Sequence, residues 1–438
     1  MSAIRAYSER AHNERDARPV SSLQDGRRRV LCALTLETAH NERDARPVSS
    51  LQDGRRRVLC ALNPETAHNG RNPRPVSDLH VGRGRLLCAL TERFAELKID
   101  AFLISAPPNV RYLSGFTGSN ALLLVAPGRS TLFTDPRYAI QAAQEMSECA
   151  VKVARGALVA AAAQLIARRG WKRIGFERGR LTFDAWQRLK ETLPLGAALR
   201  PVGPVVESLR MVKTAEEIAL IRASVLVNSL ALEAALPRIR PGVREFELAA
   251  ELEYQMRRKG ADKASFDTIV ASGKRTALVH AQPGPEPIAA NQLLLIDMGA
   301  TRNGYVSDMT RSFFVGTPNR KVRKMYDSVL AAQLAAISAV REGATAEQVD
   351  RAARKVLRAD GLEKAFVHST GHGLGLEIHE PPRLGRRDKT RLQAGMAITI
   401  EPGVYLEGWG GIRIEDTVVV TANGCEVLTP TTKEFIAL

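Results

Sequence analysis

LLLIDMGATRNGYVSDMT, residues 293–310, is the stretch on which the reading of this chain turns. An apolar run ends in Asp297, a link containing Asn303 and Gly304 follows, and a second aspartate, Asp308, comes eleven residues after the first. The glycines and Asn303 predict a hairpin, which would set the two aspartates on neighbouring strands. Downstream come HSTGHGLGLEIHE (368–380), ITIEPGVY (398–405) and GIRIEDT (411–417), which hold His372, Glu401 and Glu415. Four carboxylates and a single imidazole suit a pair of hard divalent ions. Two such ions, roughly 3.5–4 Å apart, can share a water and generate hydroxide at neutral pH. Any one of these residues alone reads as a solvated surface charge. Five together, each among apolar strand-like residues and glycines, read as a metal centre.

The same motifs carry a family resemblance. FDTIVASG, VHAQP, LIDMGATRNGYVSDMTRSFFVG, GHGLGLEIHEPP, GMAITIEPGVY and GIRIEDTVVVTANGCEVLT follow one another from about Phe266 to Thr429. This segment resembles the catalytic domain of the pita-bread metallopeptidases, and within them the Xaa-Pro peptidases, aminopeptidase P and prolidase. The resemblance implies an α+β fold: a C-terminal pita-bread catalytic domain preceded by an α/β creatinase-type N-terminal domain. It implies two divalent ions, Mn²⁺ first, with Co²⁺ or Zn²⁺ as alternatives. Asp297 would chelate one ion, Asp308 and Glu415 would bridge both, and His372 and Glu401 would bind the second. Glu401 would also shuttle a proton, as general base and then acid.

Three further histidines fall inside the matching motifs of a chain that has eight. By resemblance His280 and His379 contact the substrate and stabilise the tetrahedral intermediate, and His368 lines the same site. HSTGH has the spacing of HExxH, but Ser369 stands where that motif needs glutamate, so a helical zinc site is not expected. Arg413 matches a family arginine near the substrate, and a guanidinium fork suits a peptide carboxylate or carbonyl. Tyr405 is a candidate hydrogen-bond donor to the intermediate. The implied substrate is a peptide with proline at the second position, and the implied assembly is a homodimer. Methionine aminopeptidase relatives share the five ligands but usually lack the upstream domain, and creatinase relatives have both domains but lack the ligands. The alternative is a catalytically inactive pita-bread protein that binds nucleic acid or a protein partner.

Composition narrows the field further. Apolar residues make up 45% of 438, which is enough for real cores. No uninterrupted apolar run approaches 18 residues and MSAIRAYSER has no apolar signal core, so the expectations are no membrane and a cytoplasmic location. Five cysteines without a CxxC indicate neither a disulfide framework nor a zinc knuckle. A net charge of +16 raises a nucleic-acid partner. With no aromatics interleaved among the basic residues, an arginine-rich coding bias explains the charge better, and no nucleic acid is expected.

Residues 11–38 and 39–66 are nearly the same unit, and a diverged third copy begins at Ala67. The near-verbatim identity argues for a recent duplication and against a solenoid, whose repeats share only a sparse apolar pattern. Residues 1–76 are therefore expected to be a poorly ordered Arg-rich extension, since so little apolar surface cannot offset roughly 1–2 kcal/mol per residue of ordering entropy. From there, 77–203 reads as the α/β domain and 204–438 as the catalytic domain. Leu86, Leu90, Phe94 and Leu97 predict one helical face, and AFLIS, ALLLVA and STLFT predict strands. Long helices are predicted after Thr214, with Thr214 as N-cap and Glu217 three residues on, and over REFELAAELEYQMRRKG, 320–341 and 346–360.

Overall fold

The computed structural model describes residues 77–438, with side chains from residue 82. The expected disordered extension over 1–76 lies outside the described residues. The first helix, Ser77–Glu92, stops at Arg93, and a single turn, Phe94–Leu97, completes the predicted apolar face. Leu90 and Phe94 are buried in the core it covers.

That core lies on one side of a six-stranded sheet. In spatial order its strands are Ala150–Val153, Arg129–Thr134, Ala121–Ala126, Ala101–Ile104, Arg173–Glu177 and Ala198–Val202. Ala101–Ile104 pairs antiparallel with Ala121–Ala126 and parallel with Arg173–Glu177, so the sheet is mixed. Successive side chains of a strand face opposite ways. Phe102 and Ile104 therefore enter the core under the first helix, while Ala101 and Leu103 enter a second core with helix Leu158–Arg169. Helix Val205–Met211 leads out of this domain.

The remainder is built twice on one plan, a sheet backed by two helices. In the first half, helices Ala215–Ala235 and Glu245–Arg258 cover the sheet formed by Ile269–Ser272, Gln292–Met298 and Met309–Val315. Thr214 and Glu217 cap the first of these helices reciprocally: Thr214 Oγ1 accepts from the Glu217 amide at 3.3 Å, and the Glu217 carboxylate accepts from the Thr214 amide at 2.9 Å. In the second half, helices Arg320–Ala339 and Ala346–Ala359 back a five-stranded sheet that contains Gly371–Gly373, Ala397–Ile400 and Asp416–Val420.

Period two then decides which side chains face the middle. Leu294, Ile296 and Met298 point into the helices of the first half, so Asp297 points the other way. Ile398 and Ile400 point into the helices of the second half, which leaves Thr399 and Glu401 on the opposite face. Truncating a fully buried residue such as Ile296 or Ile400 would cost ~2–5 kcal/mol. Both halves thus spend their apolar alternation on the helices and turn their carboxylates toward the middle.

Among the described residues one helical stretch, Ala215–Arg238, is long and apolar enough by composition to cross a membrane, and half of its apolar window is buried. Its polar positions are spent inside the fold: Ser224 Oγ donates to the Ala300 carbonyl at 2.7 Å, and Asn228 Nδ2 to that of Met298 at 2.8 Å. It is the helix on which the first half packs.

Candidate metal centre

Asp297 and Asp308 come from the two ends of the 293–310 link. Asp297 sits on strand Gln292–Met298 opposite Thr310, and Asp308 immediately precedes strand Met309–Val315. Between them the chain forms a small second hairpin, Ala300–Arg302 with Tyr305–Val306, so the link is more than the single turn the glycines suggested. Glu401 and Glu415 flank the paired ends of Ala397–Ile400 and Asp416–Val420, where Ile400 faces Asp416. The Glu415 amide donates to the Thr310 carbonyl at 3.1 Å, which joins the two halves beside the ligands.

His372 lies in the centre of Gly371–Gly373, next to a register shift in the ladder. A methyl group on Gly371 would collide with the Thr399 carbonyl, so only glycine lets this strand close up. The imidazole is oriented by its own backbone: Nδ1 lies 3.0 Å from the Gly373 carbonyl. A carbonyl only accepts, so Nδ1 carries the proton and the Nε2 lone pair is free. That Nε2 faces Asp308 Oδ2 at 3.5 Å and Glu401 Oε1 at 3.4 Å. One ligand atom each from Asp308, His372 and Glu415 lies within 4.8 Å of the others.

The electrostatics show what this arrangement requires. Burial, followed by Glu415, Asp297 and Glu401, pushes the Asp308 carboxyl well above the ordinary carboxylate range. Burial, followed by Glu401 and Asp297, does the same to Glu415. Glu401 is pushed up to about 7, chiefly by burial, with Arg413 pulling the other way. Burial also lowers His372, keeping it neutral and able to ligate. Four carboxylates meet one guanidinium here, so the protein supplies too little positive charge for its own anions. Asp297 Oδ1 is buried without a hydrogen-bond partner, although nearly all such atoms in folded proteins have one. An oxygen-rich donor set, an orphaned carboxylate oxygen and a surplus of buried negative charge all fit divalent cations.

Arg413 is built into the ligand cluster. It is only 2% exposed and its Nη2 donates to Asp297 Oδ2 at 2.5 Å. Nη1 donates to the Tyr405 hydroxyl at 2.7 Å and to the Val279 carbonyl at 3.3 Å, and Nε to Thr310 Oγ1 at 2.9 Å. Thr310 Oγ1 in turn donates to Glu415 Oε2 at 2.7 Å. Four of the five N–H groups of Arg413 are thus engaged within the site. The guanidinium fixes Asp297 directly and Glu415 through Thr310.

His368 belongs to the same network. Its Nδ1 donates to the Ser369 carbonyl at 2.8 Å, and burial lowers its pKa to about 4. The neutral ring therefore accepts from the Tyr405 hydroxyl at Nε2, 2.9 Å away. His368 thus holds Tyr405 within the site, with the Tyr405 hydroxyl proton directed at His368 Nε2. His280 and His379, by contrast, are exposed. The His379 ring stands edge-on to that of His372, centroids 4.4 Å apart. Burial, then His372 and His280, lowers its pKa.

Motif reading missed the outer supports. Asp350 Oδ1 accepts from Thr370 Oγ1 at 2.8 Å, and Arg354 donates to Asp350 and to the Phe366 and His368 carbonyls, fixing the segment that leads to His372. Both come from helix Ala346–Ala359, which Thr345 caps. A buried Asp–Arg pair four residues apart on one helix was the available clue.

Comparison with known proteins agrees with this geometry. Residues 219–422 match metallopeptidase family M24, and residues 87–212 match the creatinase/prolidase N-terminal domain. The Xaa-Pro dipeptidase of Pyrococcus furiosus is 38% identical over 341 residues, 78% of this chain and 96% of that protein. The structure of an Xaa-Pro dipeptidase from Bacillus anthracis superposes with a TM-score of 0.79 at 38% identity, covering 81% of this chain and all of the other. An X-Pro aminopeptidase from Thermotoga maritima gives a TM-score of 0.74 at 35% identity, covering 80% of this chain and all of the other.

Proposed function

The chain belongs to metallopeptidase family M24, and from that premise we propose that it hydrolyses the bond between an N-terminal residue and a following proline. The observation that carries the reading is the convergence of Asp308, His372 and Glu415 ligand atoms within 4.8 Å, with Glu401 beside His372 and an orphaned Asp297 oxygen. Asp297, Asp308, His372, Glu401 and Glu415 would hold two divalent ions, with Mn²⁺ the first candidate. Such ions supply Lewis acidity toward a carbonyl and lower the pKa of water.

The remaining work falls to the chain's own groups. Glu401, beside His372 at the centre of the ligand cluster, would take a proton from the attacking water and return it to the leaving imino nitrogen. His379 and His280 stand exposed at the rim and would donate hydrogen bonds to the substrate carbonyl oxygen as negative charge develops on it. Arg413, Tyr405 and His368 hold the ligand shell still while this happens. A proline nitrogen has no N–H to donate, so recognition at that position rests on shape and on the carbonyls either side. A homodimer and a cytoplasmic location belong to the same reading.

The test is hydrolysis of an Xaa-Pro dipeptide and of an Xaa-Pro-Yaa tripeptide by chelated protein before and after Mn²⁺ is restored. Cleavage of at least one, abolished by chelator and regained with Mn²⁺, is expected. Metal-loaded protein that cleaves neither would overturn the assignment.

A further inference from the structure

Behind His379 lies a buried charge cluster that the chemistry above does not use. Glu380 is the next residue and the first of strand Glu380–Leu384, and its side chain enters the layer between the catalytic body and the N-terminal domain. There its side chain is 3% exposed, as buried as the Arg210 and Lys213 side chains that meet it. Oε1 accepts from Arg210 Nη2 and from the amides of Leu376 at 2.8 Å and Glu377 at 3.1 Å. Oε2 accepts from Lys213 Nζ at 2.9 Å. Burial works against the charge of this carboxylate, but Lys213 and Arg210 outweigh burial and hold its pKa down.

Two of these donors are amides of the irregular loop that carries His379. The Val306 amide holds the start of that loop through the Gly375 carbonyl at 2.9 Å, and the Glu380 carboxylate is the template for the Leu376 and Glu377 amides that follow. Gly375 shows how tightly the loop is drawn: a methyl group there would sit 2.9 Å from Glu380 Oε1 and 3.0 Å from Lys213 Cε. The grip continues outward. Arg210 Nη1 pairs with Glu377 at 2.9 Å, and Arg180 clasps both oxygens of Glu377 at 2.8 Å each. Arg180 follows strand Arg173–Glu177 of the N-terminal sheet, and Arg210 lies on helix Val205–Met211, which joins the domains.

We propose that Glu380 is a positioning residue that sets His379 at the substrate, and that Arg210, Lys213 and the Arg180–Glu377 fork make the N-terminal domain part of that positioning. The proposal rests on the role given to His379 above. A group displaced by 1 Å can cost on the order of a hundredfold in rate, so a loop held by one carboxylate is a sensitive place.

The experiment is a double-mutant cycle on kcat and KM for an Xaa-Pro substrate, with bound metal counted in every sample. Glu380→Gln keeps the size and removes the charge. It should lower kcat about tenfold or more with metal content unchanged. His379→Ala should lower kcat as well. Combined with His379→Ala, Glu380→Gln should add almost nothing, because the histidine through which it acts is gone. Losses that multiply, or a Glu380→Gln protein with full kcat, would overturn the proposal while leaving the role of His379 standing. Full kcat in His379→Ala would instead overturn that role. Arg180→Ala guards against a Glu380 variant that fails to fold, since Arg180 is one-third exposed. It should give a smaller kcat loss that likewise vanishes in His379→Ala, and an equal loss in both backgrounds would refute the coupling.

Discussion

Arg413→Met separates the protein's own charge balance from the contribution of metal. Among the described residues the wild-type guanidinium is the cation set among Asp297, Asp308, Glu401 and Glu415, and its charge persists against burial because Tyr405, Asp297, Glu401 and Glu415 outweigh it. Methionine fills much of the volume but leaves Asp297 Oδ2, Tyr405 and Thr310 without their donor. Breaking one side of a buried ion pair typically costs ~3–5 kcal/mol. At roughly 2–4 °C per kcal/mol for a domain of this size, the metal-free variant should melt roughly 6–20 °C below metal-free wild type. Two divalent ions would bring positive charge of their own, so the loss should shrink to a few degrees when both proteins carry metal. The assay is thermal melting of wild type and variant, each chelated and each reloaded with Mn²⁺. An equal drop in both states would show that Arg413 is not compensating the ligand carboxylates, and the reasoning would fail.

Other consequences can be checked alongside. Asp308→Ala or Glu415→Ala should each remove both ions, measured as bound metal per chain, because each is assigned to bridge; two ions retained in either variant would end that assignment. His280→Ala and His379→Ala should lower kcat and kcat/KM together while metal content stays at the wild-type level, and loss of metal would make them ligands instead. For the chelated protein, Glu401 has its folded pKa raised to about 7 from an ordinary 4.5, and Asp308 and Glu415 move in the same direction. The folded state then holds more protons, so this stability is complete below pH about 4.5 and disappears as pH rises through about 7. Chelated protein should melt lower at pH 8 than at pH 5.5, and metal should remove or reverse the difference; a chelated protein indifferent to pH would argue against a crowded carboxylate cluster.

Much of the molecule was legible in the sequence because its signals are local. Thr214 and Glu217 form a reciprocal cap that three-residue spacing announces. The predicted helix over 346–360 runs Ala346–Ala359 because Thr345 caps it and Val349, Ala353 and Leu357 make one buried stripe. The five carboxylate and imidazole positions stood out because each lies in a strand-like motif. What stayed hidden depends on partners far apart in the chain. The bond from Arg413 to Asp297, 116 residues away, leaves no local sign. The bond from Tyr405 to His368 Nε2 is equally silent in the sequence. Glu380 was one letter in HEPP until Arg210 and Lys213 closed on it, from 170 and 167 residues upstream. Composition, spacing and caps carry no record of such contacts, whereas burial and charge balance in the folded chain do.

The most direct test of the metal centre is to count divalent ions bound per chain in the same sample whose Xaa-Pro hydrolysis is measured, across a titration of Mn²⁺ into chelated protein. The account predicts that activity is absent without metal and reaches its plateau as the count approaches two. Hydrolysis that survives complete removal of metal, or a count that never exceeds one in fully active protein, would contradict it.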